Sequence, residues 1–160
     1  VQTCALPICA DIVQNWIITI NLIVTTIVTF YLYFKSKTDS KKNALDSQLL
    51  ELQRLAFENP YLENENYTNE WNMLREKYVN KEQNWDVDKF LRYDAYTEML
   101  FNYVEMSLKV YKTEENLLKY VDFKSWLRNH TQNWQNPLQA HINREVYGDK
   151  MCDMIDKWLK

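Results

Sequence analysis

Two glutamates on one predicted helix are the residues best placed for acid–base or metal chemistry. Glu98 and Glu105 are seven positions apart, and Asp94 and Asn102 share their side of the helix. Paired carboxylates of this kind could exchange protons with a substrate or hold a dinuclear metal centre. A di-iron centre also requires a Glu-x-x-His motif on each of two helices, and the sequence has none. A solvated polar face, or acids that bond buried tyrosine hydroxyls, is the simpler interpretation.

The two histidines, His130 and His141, add little to this set. His141 and Glu145 share a helical face at i and i+4, a spacing that binds a metal ion only weakly without a third ligand. We therefore assign no catalytic, cofactor-binding or metal-binding residue from the sequence. Glu98, Glu105 and His141 are kept as the site of an alternative function, that of a small membrane-bound hydrolase or metalloenzyme.

The sequence disfavours a cysteine nucleophile and excludes the glycine-rich motifs that bind phosphate or present a catalytic serine. Cys152 has aspartates at 149, 153 and 156, and their negative charge disfavours a reactive thiolate. Gly148 is the only glycine, so the glycine-rich loops of nucleotide-binding proteins and the G-x-S-x-G elbow of hydrolases are impossible here. No cofactor is expected.

An apolar stretch near the N-terminus organises the rest of the chain. Ile12–Phe34 contains no charged residue over 23 positions, and as a helix it would be about 34 Å long. That length crosses a hydrocarbon core of about 30 Å with a modest tilt. We predict a transmembrane anchor at residues 10–36 and an α-helical domain at residues 37–160.

The charges beside this stretch predict its orientation. Asp11 is the only charged residue before it, whereas Lys35, Lys37, Lys41 and Lys42 follow it closely. Because positive residues favour the cytoplasmic side, we expect the N-terminus outside and the domain in the cytoplasm.

Polar side chains along one face of the apolar stretch suggest that it pairs with a second copy. Gln14, Asn21, Thr25 and Thr29 follow helical spacing, and Asn21 is near the middle of the membrane. A self-association face is one interpretation. In the other, the threonines bond back to their own helix and the asparagine is tolerated.

The first nine residues are expected to be an artefact. Residues 1–8, VQTCALPI, match the translation of the end of a common short-read sequencing adapter, and Cys9 overlaps its continuation. The alternative is a natural N-terminus. Excluding them leaves Cys152 as the one native cysteine, which cannot form an internal disulfide and fits a reducing compartment.

The scarcity of turn residues predicts an all-α fold. One glycine and three prolines among 160 residues leave few turns for a β architecture. Capping residues and prolines predict an irregular helical bundle with helices at about 40–58, 68–79, 87–111, 113–120, 122–133, 137–147 and from 149 onward. The linker 35–40 is either a polar hinge or a helical continuation, and 61–67 is an acidic connection.

The helix at 87–111 is expected to be central, because it carries the broadest apolar face. Asp86 is its predicted cap, and Asp149 is the predicted cap of the last helix. Helical spacing predicts core positions that include Leu45, Leu49, Leu50, Leu52, Leu55, Ala56, Phe57, Trp71, Leu74, Tyr78, Phe90, Leu91 and Met151.

Aromatic residues make up 14 % of the chain, and five tryptophans fall within the domain. They could line a ligand pocket or partner surface, or they could supply the large buried groups that a small core needs. The tryptophans are Trp71, Trp85, Trp126, Trp134 and Trp158.

Several motifs resemble a group of uncharacterised bacterial proteins with one N-terminal membrane helix and a small cytoplasmic helical domain. The motifs are FENPYL (Phe57–Leu62), YTEMLFNYVE (Tyr96–Glu105), Trp126, NPL (Asn136–Leu138) and REVY (Arg144–Tyr147). The resemblance spans most of residues 45–159. It implies an anchored helical domain at a bacterial inner membrane and implies no activity.

Charge and composition narrow the choice of partners. All 19 lysines and arginines and 21 of the 22 acids follow Phe34, so the domain is slightly acidic and offers no basic field for nucleic acid. We expect a membrane-anchored helical interaction module, acting as a sensor, scaffold or effector. Its expected partners are the lipid bilayer, an unidentified protein and a second copy of the chain.

Overall fold

The structure confirms the all-α fold. A computed structural model describes the backbone of residues 7–160 and the side chains of residues 14–136 and 142–160. Every regular element in this described part is helical. The helices are α1 (Pro7–Glu58), α2 (Glu65–Thr68), α3 (Trp71–Val79), α4 (Val87–Tyr111), α5 (Glu114–Tyr120), α6 (Phe123–Arg128), α7 (Thr131–Gln135), α8 (Pro137–Tyr147) and α9 (Asp149–Trp158), with a 3₁₀ turn at Pro60–Glu63.

The chain divides into two compact units, residues 1–41 and 42–160. In the first unit, residues 35–40 are helical. They therefore continue α1 and do not form a hinge. The most apolar 18-residue window of α1 has a mean hydropathy of 2.0, and none of it is buried. By length and composition α1 can cross a membrane. Residues 1–6 of the adapter-like stretch lie outside the described residues, and its origin stays a prediction.

The second unit is built around α4, as its apolar face predicts. The Asp86 side chain caps this helix by accepting a hydrogen bond from the Lys89 amide at 2.9 Å. α4 packs against α3 and α5, while α7 contacts α3 and α8. The residues that α4 buries are Phe90, Tyr93, Tyr96, Thr97, Leu100, Phe101, Tyr103, Val104, Ser107 and Leu108.

Four positions predicted to be in the core are exposed. Phe57 is 86 % exposed and Leu50 is 66 % exposed, and Tyr78 and Leu91 also face solvent. In the domain part of α1 only Leu45 and Leu52 are fully buried. The buried face of this part of α1 is therefore narrower than its apolar face. Only the side chains on one side of the helix contact other helices.

Several predicted boundaries were wrong, three of them for identifiable local reasons. The helix expected from 68 begins at Trp71, because Thr68 is the last residue of α2. The expected connection 61–67 contains the 3₁₀ turn and α2, which Asn64 caps through the Asn66 amide at 3.0 Å. The expected helix 122–133 is interrupted after α6, and His130 lies in that interruption. Asp149 is the first residue of α9 and not its cap. Gly148 precedes it with φ 73°, a value that favours glycine.

Candidate ligand-binding site

A single carboxylate, Glu63, accepts hydrogen bonds from four side chains. Its Oε1 accepts from the Tyr96 hydroxyl, from Trp126 Nε1 at 2.6 Å and from His130 Nε2 at 3.3 Å. Its Oε2 accepts one long bond from Asn129 Nδ2 at 3.4 Å. Charge-assisted bonds to a carboxylate are stronger than neutral ones, so this cluster is a principal polar contact of the domain.

Local structure brings each member of the cluster into place. Asn59-Pro60 ends α1 and starts the 3₁₀ turn, whose last residue is Glu63. Tyr96 lies on the central helix α4, and Trp126 lies on α6. The break between α6 and α7 directs the His130 ring towards Glu63. The site therefore depends on three segments that are distant in sequence, namely the 3₁₀ turn, α4 and the region from α6 to the start of α7.

The hydrogen bonds continue inward through His130. The Tyr93 hydroxyl is 3.0 Å from His130 Nδ1, and both side chains are fully buried. With a proton on Nε2, the ring donates to Glu63 and accepts from Tyr93. Both nitrogens of a buried imidazole are thereby satisfied.

Glu63 is ionised despite its burial. Burial alone raises the pKa of the Glu63 carboxyl, but the hydrogen bonds from His130, Tyr96 and Trp126 outweigh this effect. The pKa therefore lies below its ordinary value. At neutral pH the Glu63 carboxylate is therefore negatively charged.

Glu63 faces an open groove of about 540 Å³, which we call the Glu63 groove. The Glu63 side chain is 26 % exposed, so its carboxylate reaches the groove. The volume is in the range of small-molecule sites. The groove is lined by Leu49, Gln53, Ala56, Glu63, Tyr96, Tyr120, Val121 and Trp126, with no basic residue among these described side chains.

A smaller groove of about 200 Å³ contains part of the predicted carboxylate set. Asp94, Glu98 and Asn102 line it together with Asn133 and Tyr147. Burial raises the pKa of the Asp94 carboxyl, and contacts from Trp71, Asn133 and Arg75 offset this only in part. The Trp71 indole approaches Asp94 without a hydrogen bond of regular geometry.

The structure brings Glu98 and Glu105 close to the same tyrosine but gives them different surroundings. Burial, Glu98 and Glu105 raise the pKa of Tyr147 to about 12. Glu98 is exposed, whereas Glu105 makes an ion pair with Lys109 at 2.8 Å. The His141 side chain lies outside the described residues. Among the side chains that are described, no three His, Cys, Asp or Glu residues are grouped as metal ligands.

The four residues of the predicted membrane face, Gln14, Asn21, Thr25 and Thr29, are all exposed on α1. The Thr29 hydroxyl donates to the Thr25 carbonyl at 2.8 Å. The interpretation without self-association expects such a bond from a threonine to its own helix. Asn21 remains free for a partner across the membrane, so both interpretations stay open.

The tryptophans divide between core and groove. Trp71, Trp134 and Trp158 are buried in the core. Trp85 is half-buried, and only Trp126 lines the Glu63 groove. Three of the five tryptophans are therefore core residues, and Trp126 belongs to the candidate site.

Cys152 is buried and has aspartates nearby, and both conditions disfavour a nucleophilic thiolate. Burial raises the pKa of its thiol, Arg144 lowers it, and the aspartates at 156, 149 and 153 raise it again. The net effect keeps the thiol protonated at neutral pH.

Sequence reasoning missed Glu63 as a site residue and gave His130 no role. Glu63 is one acid in an acidic connection, and its partners are 33 to 67 positions away. The only local signal is the Asn-Pro stop before the turn, which predicts a change of direction and not a site.

Comparisons with protein-family models, with curated proteins and with solved structures found no match to this chain. The resemblance to bacterial single-pass membrane proteins therefore stays a prediction. What the protein does is inferred from α1 and from the Glu63 groove.

Proposed function

We propose that the protein is a membrane-anchored helical interaction module. In this proposal α1 crosses a bacterial inner membrane once, with the N-terminus outside. The domain lies in the cytoplasm, where it acts as a sensor, scaffold or effector by holding a ligand or a protein near the bilayer.

The observation that carries the proposal is the exposed apolar face of α1. Side chains such as Trp16, Leu22 and Phe30 are each 60 % exposed or more. In water such a continuous apolar surface would be strongly unfavourable, whereas a bilayer would cover it. The core of the domain consists of its own residues from Leu45 onward. The apolar segment is therefore available for a membrane.

The Glu63 groove supports binding over catalysis as the task of the domain. Its carboxylate is held by several donors, and such fixed polar groups in an otherwise apolar site provide orientation and specificity. The alternative of a hydrolase or metalloenzyme has weaker support, because Glu105 is engaged by Lys109 and Glu98 is exposed.

Reporter fusions at the C-terminus of the full chain test anchor and orientation together. We expect the chain to resist carbonate extraction from membranes, a green fluorescent protein fusion to fluoresce, and an alkaline phosphatase fusion to be inactive. Alkaline phosphatase requires disulfides, which do not persist in the cytoplasm. An active phosphatase fusion would overturn the orientation.

A charged variant provides the control for insertion. Arginines at Ile20→Arg and Val24→Arg each oppose insertion by about 2.5–3.5 kcal/mol near the middle of the membrane. The double variant should become extractable, while Thr38→Arg, in the polar part of α1, should stay in the membrane. A wild-type chain that is itself extracted would end the proposal.

Self-association of α1 is a separate prediction from the Asn21 face. An amide in the membrane gains from a partner on another helix, so Asn21→Leu should reduce crosslinked dimers of the full chain by several-fold. Thr26→Leu is the matched control, because Thr26 lies on another side of α1 and bonds back to the Leu22 carbonyl at 2.8 Å. Equal crosslinking in wild type and Asn21→Leu would exclude this face as an interface.

A further inference from the structure

We propose that the Glu63 groove binds a small organic cation with an alkylated ammonium group. This inference rests on the proposed function and gives the class of ligand that the domain would hold. It follows from an anion whose described ion pairs include no lysine or arginine, from a weakly engaged carboxylate oxygen and from the apolar and aromatic walls.

The charge in the groove lacks a permanent cation. In the described part of the chain, the ion pairs of Glu63 include no lysine or arginine, and its basic neighbour is His130. A second carboxylate, Asp46, is not part of the lining, but it accepts a hydrogen bond at 2.5 Å from the hydroxyl of Tyr120, which is. The Glu63 carboxylate in the lining and the Asp46 carboxylate next to it favour a positively charged occupant.

Glu63 also retains the capacity to bind one more group. Its Oε1 accepts from three donors, whereas Oε2 has only the long bond from Asn129. At 3.4 Å this bond is longer than an ordinary N–H···O hydrogen bond, so Oε2 is only weakly engaged. Oε2 can therefore face the positive charge of a ligand while Oε1 keeps the domain together.

The walls select the kind of cation. Tyr96, Tyr120 and Trp126 provide aromatic surface, and aromatic rings attract weakly hydrated cations such as alkylated ammonium ions. Leu49, Ala56 and Val121 are apolar and would strip water from a compact ion without replacing it. A metal ion is disfavoured because a single carboxylate lines the groove. The alkyl groups of an organic cation would instead contact the apolar wall.

The test is a calorimetric titration of the full chain in maltoside micelles, which carry no ammonium group. The probes are choline and 3,3-dimethylbutan-1-ol, an uncharged molecule of the same shape. We expect choline to bind at least tenfold more tightly than the alcohol. Equal binding of both would show an apolar groove without charge recognition, and absence of binding by choline would also overturn the inference.

Two variants locate the binding. Glu63→Gln removes the charge and should weaken choline binding at least tenfold. Because this change also affects the core, Gln53→Trp serves as an independent variant. Gln53 is an exposed groove residue, so tryptophan there should block binding without disturbing the cluster. Gln48→Trp, on α1 but outside the groove lining, is its control and should bind choline as wild type does.

Two results distinguish this inference from the proposed function. A chain that inserts as expected but does not bind choline would contradict only the cation site. A chain that binds choline but is not anchored would contradict only the membrane module. Binding of an oligolysine peptide without binding of choline would assign the groove to a protein partner and overturn the inference.

Discussion

Replacing Glu63 by leucine should lower the free energy of unfolding by about 3 kcal/mol, since buried donors that lose their acceptor each cost about 1–3 kcal/mol. The change leaves the Tyr96 hydroxyl, Trp126 Nε1 and His130 Nε2 without their common acceptor. The Glu63 side chain is partly exposed, so water can solvate some of the donors that lose their acceptor. The expected loss per donor is therefore near the lower end of about 1–3 kcal/mol. Urea unfolding of the full chain in micelles, followed by tryptophan fluorescence, measures it.

A surface glutamate is the matched control for this substitution. Glu115 pairs with Lys119 at 2.6 Å, but its side chain is 78 % exposed. Exposed ion pairs contribute little, so Glu115→Leu should unfold at the same urea concentration as wild type. If both leucine variants behave alike, the Glu63 cluster does not stabilise the fold.

The same carboxylate predicts the direction of the pH dependence. The folded-state pKa of Glu63 lies below the ordinary value of 4.5, so the unfolded state binds more protons in acid. The stabilisation by Glu63 is complete above pH 4.5 and is lost as the pH falls through the lower folded-state pKa. Glu63→Gln should therefore be less stable at neutral pH and lose less stability in acid than wild type.

Replacing Trp134 by alanine should destabilise the domain more, by about 3–5 kcal/mol, as expected for a buried aromatic side chain. Trp134 is 3 % exposed and contacts Phe101 with ring centroids 4.9 Å apart. Its indole N–H donates to Asp156 Oδ1 at 2.8 Å, and Tyr147 packs on its ring at 6.0 Å. One side chain thus connects α7 with α4, α8 and α9.

Phenylalanine at this position separates packing from hydrogen bonding. Trp134→Phe keeps an aromatic ring against Phe101 but removes the N–H that Asp156 accepts. We expect a loss of about 2–3 kcal/mol, because a hydrogen bond to a partly exposed carboxylate lies near the lower end of about 1.5–3 kcal/mol and a small cavity adds to it. A phenylalanine variant as unstable as the alanine variant would mean that the hydrogen bond, and not packing, dominates. Urea midpoints of the two variants decide this.

The helices whose ends carry local signals were predictable from sequence. Asp86 caps α4, and that helix spans Val87–Tyr111 as predicted. Thr113 caps α5 through the Asn116 amide at 3.3 Å, and Gly148 follows α8 with a positive φ. Capping and glycine conformations depend on a few neighbouring residues, so the sequence determines them directly.

The side chains that become buried were less predictable. Leu50 and Phe57 have the apolar character and helical spacing of core residues, yet both are exposed. Periodicity shows that a helix has an apolar face, but neighbouring helices decide how much of that face they cover. Trp126 and Trp134 likewise look alike in sequence, and only packing directs one to the groove and the other to the core.

The sequence by itself determined the all-α fold and the apolar helix that can cross a membrane, because composition and length are sufficient for both. Only the tertiary structure identified Glu63 as the centre of a site. Its partners, among them Tyr96 and His130, come from separate segments of the chain, and their hydrogen bonds exist only once those segments pack. A carboxylate acquires a special environment from its neighbours in space, which spacing along the chain does not record.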